Sequence, residues 1–261
     1  MPRRTMNESI LRVEHLGLRF GGVHAVRDCN FNVGAGTVVG LIGPNGAGKS
    51  TAIDLITGFR RPDTGRVLLD EQPITAKTPH AISRRGLMRT FQSPREWPSL
   101  TVMDNIILGL KAFRRETLPR AVFANGRQRR AEDRDRERIR ALLDSFGLTP
   151  VKNLAAGQLS GGQKRLLEFA RIAAANPRVL ILDEPMGGVN PVLGERIGSA
   201  VKNLSADGAT VIVVEHNLAF IEKVCDSVIV MDQGHVIASG SYASLRDNPQ
   251  VVTAYLGADD A

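Results

Sequence analysis

At 261 residues and 43% hydrophobic side chains, the chain has ample material for a packed core and is long enough for one large domain or two small ones. Its apolar runs, such as Val38–Ile42 and Val179–Leu182, reach only about five residues where a bilayer span takes roughly 20, and no apolar core follows the charged start, so neither a transmembrane helix nor a signal peptide is expected. Cys29 and Cys225 are the only cysteines, far apart and outside any CxxC, which argues against a disulfide framework or a zinc site. The net charge of +7 is concentrated between residues 111 and 140, where Lys111 and ten arginines face five acids.

Along the chain, the first third reads as strands over Ile10–Phe20, Ala25–Val33 and Thr37–Ile42, broken by Gly21-Gly22 and Gly34-Ala35-Gly36. A helix over 48–57 follows and stops at Gly58, which tolerates the positive φ of a helix C-terminus. The turn Pro62-Asp63-Thr64-Gly65 then leads into a short strand, Arg66–Leu69. The middle is helical. In its clearest helix, Arg127 to Phe146, Ile139, Leu142, Leu143 and Phe146 recur at i, i+3, i+4 and i+7, and Gly147 ends the run. The first half of that helix is charged, with Glu132 four residues before Arg136 and Asp135 three before Arg138, the pattern of a solvated, ion-paired face. The last third alternates: helix from Gly162 to Ala175, strand Val179–Leu182, helix Pro191 to Ser205, strand Thr210–Val214, helix Leu218 to Cys225. A hairpin of Ser227–Met231 and His235–Ser239 follows, turning at Asp232-Gln233-Gly234. Such alternation calls for a parallel α/β sheet.

Three segments carry chemistry. Gly43-Pro44-Asn45-Gly46-Ala47-Gly48-Lys49-Ser50, followed by Thr51, fits the phosphate-loop pattern between a buried strand and a helix. Glycines let successive N–H groups converge on a phosphate at the positive end of the helix, Lys49 adds a cation for the β- and γ-phosphates, and the Ser50 hydroxyl can ligate magnesium. Val179-Leu180-Ile181-Leu182 ends in Asp183 and Glu184, one carboxylate able to hold magnesium through water and the next able to polarise the water that attacks the γ-phosphate. Leu159-Ser160-Gly161-Gly162-Gln163 opens a helix with a hydroxyl and two glycine N–H groups, a second anion-binding element.

Taken in order, the phosphate-loop, Gln92 after a strand, LSGGQ, ILDEP and the Val-Glu-His ending at His216 resemble the ATP-binding cassette (ABC) ATPases over essentially the whole chain. The resemblance implies a phosphate-loop NTPase core with a mainly parallel sheet, an N-terminal antiparallel β subdomain and a helical subdomain carrying the signature. It implies one cassette over 7–257, the helical subdomain at roughly 93–175, and flexible termini at 1–6 and 258–261. ATP and Mg2+ are the implied cofactors. By position, Phe20 matches the aromatic that stacks on adenine. Gln92 matches a residue that touches magnesium and senses the membrane subunit, and Ser50 and Asp183 are the other implied metal contacts. Ser160, Gly161, Gly162 and Gln163 match the signature that meets a nucleotide held by an opposite subunit, and His216 matches the histidine that holds the γ-phosphate. Glu184, His216, Lys49 and Gln92 are the implied catalytic set. Gly187-Gly188-Val189-Asn190 departs from the usual dimer-interface loop, with Asn190 in place of an aspartate.

Arg19-Phe20-Gly21-Gly22, Arg89-Thr90-Phe91-Gln92, Gly188-Val189-Asn190-Pro191, Val214-Glu215-His216-Asn217 and the Ala-Tyr-Leu-Gly near the end resemble ATPase subunits of branched-chain amino acid importers. Cassettes serving urea or amides and a lipopolysaccharide-export ATPase share some of these features. The implied partners are a second ATPase subunit, identical or not, membrane permease subunits and an extracytoplasmic solute-binding protein. No nucleic acid is expected, and the expected place is the cytoplasmic face of the inner membrane. Trp97, the only tryptophan, lies in a proline-limited loop beyond Gln92. It is expected either to receive a helix of the membrane subunit or to cap the helical subdomain from within.

Overall fold

Elements of this chain follow the punctuation of its glycines. In the computed structural model, which describes residues 9–90, 96–111 and 126–256, the order is β1 (Ser9–Phe20), β2 (Val23–Gly34), β3 (Val38–Ile42), α1 (Lys49–Ile56), β4 (Thr64–Leu69), β5 (Gln72–Pro73), α2 (Pro79–Ser83), β6 (Leu87–Arg89), α3 (Val102–Lys111), α4 (Gly126–Ser145), α5 (Gly161–Ala174), β7 (Val179–Asp183), α6 (Pro191–Ala206), β8 (Thr210–Val214), α7 (Leu218–Val224), β9 (Ser227–Asp232), β10 (His235–Gly240), α8 (Tyr242–Arg246) and α9 (Pro249–Leu256). Among the described residues no helix is long and apolar enough to cross a membrane. The chain divides into two units. The first comprises residues 1–92, 178–188 and 201–261, and the second comprises 93–177 and 189–200.

The first unit holds two sheets. One is antiparallel, in the order β2-β1-β4-β5; the other has the order β10-β9-β3-β8-β7-β6, with every pairing parallel except β10 on β9. Strands β3, β7 and β8 are buried along their whole length, as expected of parallel strands covered on both faces, which is why they read as unbroken apolar runs. The β9–β10 hairpin turns at Gln233-Gly234, both at positive φ (44° and 84°), the geometry that favours Asn or Gly in two-residue turns. Leu11, Leu16 and Val67 of the antiparallel sheet share one apolar core with Leu41, Ile53, Ile181, Ile212 and Met231.

The second unit is helical. The predicted stripe of Ile139, Leu142, Leu143 and Phe146 on and just beyond α4 is buried, as are Val102 and Ile106 of α3 and Leu166, Leu167 and Phe169 of α5. Phe146, 1% exposed, contributes roughly 2–3 kcal/mol by leaving water. Helices α3 and α5 approach closely because position 109 is glycine: a Cβ there would stand 2.3 Å from the Arg171 carbonyl oxygen. The second unit also takes in residues 189–200, beyond the predicted helical span. Sequence periodicity gives no signal for β5, α2 and α8, which are two to five residues long and too short to show a repeat.

Candidate active site

In the first unit the glycine loop runs from the end of β3 into α1. Gly43, Gly46 and Gly48 sit at φ 151°, 81° and 95°. A Cβ on Gly43 would come within 2.1 Å of the Met231 carbonyl oxygen, and one on Gly48 within 2.3 Å of the Ala25 carbonyl oxygen, both backbone atoms that cannot yield, whereas at Gly46 nothing lies within 4 Å. The loop is held by Ala47 N–H donating to Pro44 (3.2 Å) and by Gly234 N–H donating to the Ala47 carbonyl (3.0 Å). Because Gly48 is left-handed, α1 begins at Lys49 and not at the predicted 48, and its first N–H groups, from Lys49, Ser50 and Thr51, lie at the positive end of the helix. The Lys49 ammonium donates to the carbonyls of Gly43 (2.7 Å) and Pro44 (2.8 Å). Burial holds its pKa below the usual lysine value, opposed by the nearby carboxylates of Glu184 and Asp183.

The acid pair ends β7, next but one to β3 across β8. Asp183 is 3% exposed. Its N–H donates to Thr90 Oγ1 (3.0 Å) and its Oδ2 accepts from Arg89 Nη2 (2.7 Å). Glu184 leaves the strand at φ 48°, an uncommon backbone for a residue with a side chain, and one concentrated at functional sites. Its N–H donates to the Val214 carbonyl (2.9 Å), pinning the turn to β8. His216 follows β8, exposed, with its N–H donated to Glu215 Oε2 (3.0 Å).

The structure brings forward a residue without a role in the sequence reading. Glu215 is 1% exposed and accepts N–H groups from Met186 (2.7 Å), His216 (3.0 Å) and Asn217 (3.2 Å), so one carboxylate ties the turn after Glu184 to the turn bearing His216. The signal in the sequence is an acid directly after an apolar strand. Phe20, at the end of β1, is 44% exposed, with the Arg60 guanidinium 4.9 Å from its ring centroid. Gln92 lies outside the described residues.

The signature residues fall in the second unit. Ser160 caps α5: its Oγ accepts the Gln163 N–H (3.3 Å) while the Gln163 side chain accepts the Ser160 N–H (3.0 Å), a reciprocal capping box. Ser160 and Gln163 therefore fix the helix start, and Gly161 has nothing within 4 Å of its Cβ position. In the same unit the Trp97 N–H donates to Asn105 Oδ1 (3.0 Å), and Asn105 donates back to the Trp97 carbonyl (3.1 Å). Trp97 is 47% exposed, with the Arg171 guanidinium 4.2 Å from its ring centroid.

Whether these residues fit a nucleotide and its metal is tested by the backbone. Gly43 and Gly48 stand at positive φ and against backbone carbonyls that exclude a side chain, so the loop turns into α1 with the N–H groups of Lys49, Ser50 and Thr51 left for an anion. Ser50 and Asp183 supply the hard oxygen donors that magnesium takes, one or two from protein and the rest from water and phosphate. The residues fit both groups.

A glycine loop entering a helix from a parallel strand, with an acid pair ending a strand of the same sheet, defines a phosphate-loop nucleotide hydrolase. Residues 26–187 match the family described as ABC transporter, and residues 235–261 match one described as branched-chain amino acid ATP-binding cassette transporter. The chain is 36% identical over 253 residues to the high-affinity branched-chain amino acid transport ATP-binding protein BraF of Pseudomonas aeruginosa, covering 97% of this chain and 99% of the relative. It is 38% identical over 252 residues to the probable branched-chain amino acid transport ATP-binding protein LivG of Archaeoglobus fulgidus, covering 97% of each. A crystal structure of the ADP conformation of an ATP-binding cassette of an ABC transporter superposes with a TM-score of 0.79 at 32% identity, over 96% of this chain and 100% of that one. The chain belongs to the ABC transporter family, as an ATP-hydrolysing subunit.

Proposed function

We propose that this chain binds ATP with Mg2+ and couples its hydrolysis to uptake of branched-chain amino acids, or of a related small polar solute, through a separate membrane permease. The observation that carries the substrate class is similarity that does not stop at the ATPase core: it runs through residues 235–261, which match a family described by branched-chain amino acid transport. The relatives covering nearly the whole chain carry names of the same class. We read both units as one cassette over 7–257. In the working assembly two such subunits pair head to tail, identical or not, at the cytoplasmic face of the membrane, and an extracytoplasmic binding protein delivers the solute.

The glycine loop and the N–H groups of Lys49, Ser50 and Thr51 hold the phosphates, with the Lys49 ammonium turning from the carbonyls of Gly43 and Pro44 to the β- and γ-oxygens. Phe20 offers its exposed ring to adenine. Ser50, Asp183 and Gln92 would hold the metal, which when bound would neutralise phosphate charge. Glu184 accepts a proton from the attacking water as the water oxygen bonds to the γ-phosphorus and the bond to the bridging oxygen breaks. His216 holds the γ-phosphate. Ser160, Gly161, Gly162 and Gln163 meet the nucleotide of the opposite subunit, with α5 presenting its positive end. Trp97, half exposed on a loop pinned by Asn105, forms part of the surface that receives the permease.

The test is reconstitution of the chain with its permease and binding protein in vesicles loaded with ATP and Mg2+. Uptake of labelled leucine, isoleucine or valine supports the reading. Uptake of urea or an amide alone overturns the assignment to branched-chain amino acids, and uptake without ATP dependence overturns the reading as a whole.

A further inference from the structure

Sequence resemblance picks out Arg89-Thr90 as a family feature and assigns it nothing to do. In the structure these two residues hold Asp183. Strand β6 pairs in parallel with β7, Arg89 opposite Ile181, which places Arg89 and Thr90 beside the end of β7. Thr90, fully buried, accepts the Asp183 N–H through its hydroxyl (3.0 Å) and donates its own N–H to the Ile181 carbonyl (2.9 Å). The Arg89 guanidinium spans two carboxylates: Nη2 donates to Asp183 Oδ2 at 2.7 Å and Nη1 to Asp54 Oδ1 at 2.5 Å. Asp54 lies on α1, the helix that begins with the phosphate-loop lysine, and its other oxygen pairs with Arg60 at 3.4 Å. The Arg89 and Asp183 side chains are 12% and 5% exposed.

We propose that Arg89 is a positioning residue for magnesium binding: clamped from behind by Asp54, its planar fork fixes the orientation of the Asp183 carboxylate relative to the helix that carries Lys49 and Ser50. The inference rests on the nucleotide-site reading given above. A carboxylate free to rotate about its last bonds loses orientational entropy when it engages a metal. One whose Oδ2 is already held by a rigid donor has lost it in advance, which is how partners behind a ligand raise metal affinity. The geometry asks for arginine specifically. Two donors on one rigid plane reach carboxylates on two different elements, whereas a lysine ammonium is a single point charge. An opposing effect sets the sign of the test: the guanidinium is a cation near a cation site, so if it acted only through charge, its removal would tighten magnesium binding.

The experiment measures binding of a fluorescent ATP analogue to the isolated subunit, first in EDTA and then as magnesium is added back. Variants are Arg89→Gln, Arg89→Lys and Asp54→Asn, with melting temperatures recorded alongside. Expected are unchanged affinity in EDTA and a half-saturating magnesium concentration raised by about 10- to 100-fold in both Arg89 variants, the usual consequence of losing a ligand's outer partner. Asp54→Asn shows a smaller loss in the same direction. A magnesium requirement that stays at the wild-type value, or falls, in Arg89→Lys and Asp54→Asn overturns the proposal, even where the melting temperature drops. Should Arg89→Gln fail to fold, Asp54→Asn, altered at a partly exposed side chain, carries the decision. Absence of binding by the wild-type subunit, with and without magnesium, would instead overturn the nucleotide-site reading and the inference with it.

Discussion

Replacing Glu215 tests whether one buried carboxylate organises the two turns of the proposed hydrolytic site. Its side chain is fully enclosed and receives three backbone N–H groups, from Met186, His216 and Asn217. Glu215→Ala leaves all three donors without that acceptor. The three bonds are part-buried and run to a charged acceptor, each worth about 1.5–3 kcal/mol, and water reaching the freed donors recovers a part, so a net loss of about 3–5 kcal/mol is expected. For a chain of this size that lowers the melting temperature by about 6–20 °C. Glu215→Gln keeps the volume and one acceptor oxygen but turns an NH2 group toward backbone donors, and should fall between the two. Activity should suffer more than stability in the glutamine variant, because the turns bearing Glu184 and His216 lose their common tie and a displacement of about 1 Å costs about 100-fold in rate. Scanning fluorimetry and phosphate release with the same preparations decide it. A Glu215→Ala variant that melts and hydrolyses ATP like the wild type would refute the argument.

Four further outcomes are expected. Lys49→Ala loses a charge-assisted contact worth about 1.5–3 kcal/mol, so ATP affinity by equilibrium titration drops about 10- to 100-fold, and hydrolysis with it. Glu184→Gln keeps ATP binding and loses turnover, so paired subunits accumulate with ATP and Mg2+ on size-exclusion chromatography; hydrolysis at the wild-type rate would move the base elsewhere. Trp97→Ala removes a ring with one face on Arg171 and the rest half in solvent, so the isolated subunit should melt only about 2–4 °C lower while transport in the assembled complex falls, whereas a drop of more than about 10 °C would make the ring structural. Burial pushes the Cys29 and Cys225 thiols up to about 12 from an ordinary 9.0, so the folded chain holds these protons more tightly than the unfolded one. Their contribution to stability is therefore complete below the ordinary thiol value and lost as pH rises toward the folded one, and the folded chain should react slowly with a thiol reagent at about pH 8, where unfolded chain reacts fast.

Legibility in the sequence follows how local each feature is. The phosphate-loop is eight consecutive residues whose glycines are demanded by their own backbone angles, and Asp183 and Glu184 are adjacent at the end of an apolar run, so both can be read without knowing which strands pair. The capping box of Ser160 and Gln163 is likewise local, four residues wide. Arg89, Thr90 and Asp54 are of another kind. Arg89 reaches Asp183 across 94 positions of chain, and only the parallel pairing of β6 with β7 brings them together. A run such as Leu87–Arg89 is three residues long, too short for its period to reveal a strand, let alone its neighbour. Glu215 is intermediate: its place after an apolar strand is visible, but its enclosure depends on the turn at Met186 arriving from the neighbouring strand. The division into units shows the same limit, since residues 178–188 return to the first unit and 189–200 belong again to the second, an order no composition shift along the chain announces. The residues we propose to touch the nucleotide are thus grouped along the chain, where a helix N-terminus or a strand end can present them together, while the residues that hold those groups in place come from sheet order. Substitutions at Arg89, Asp54 and Glu215 therefore probe what the fold adds to the motifs.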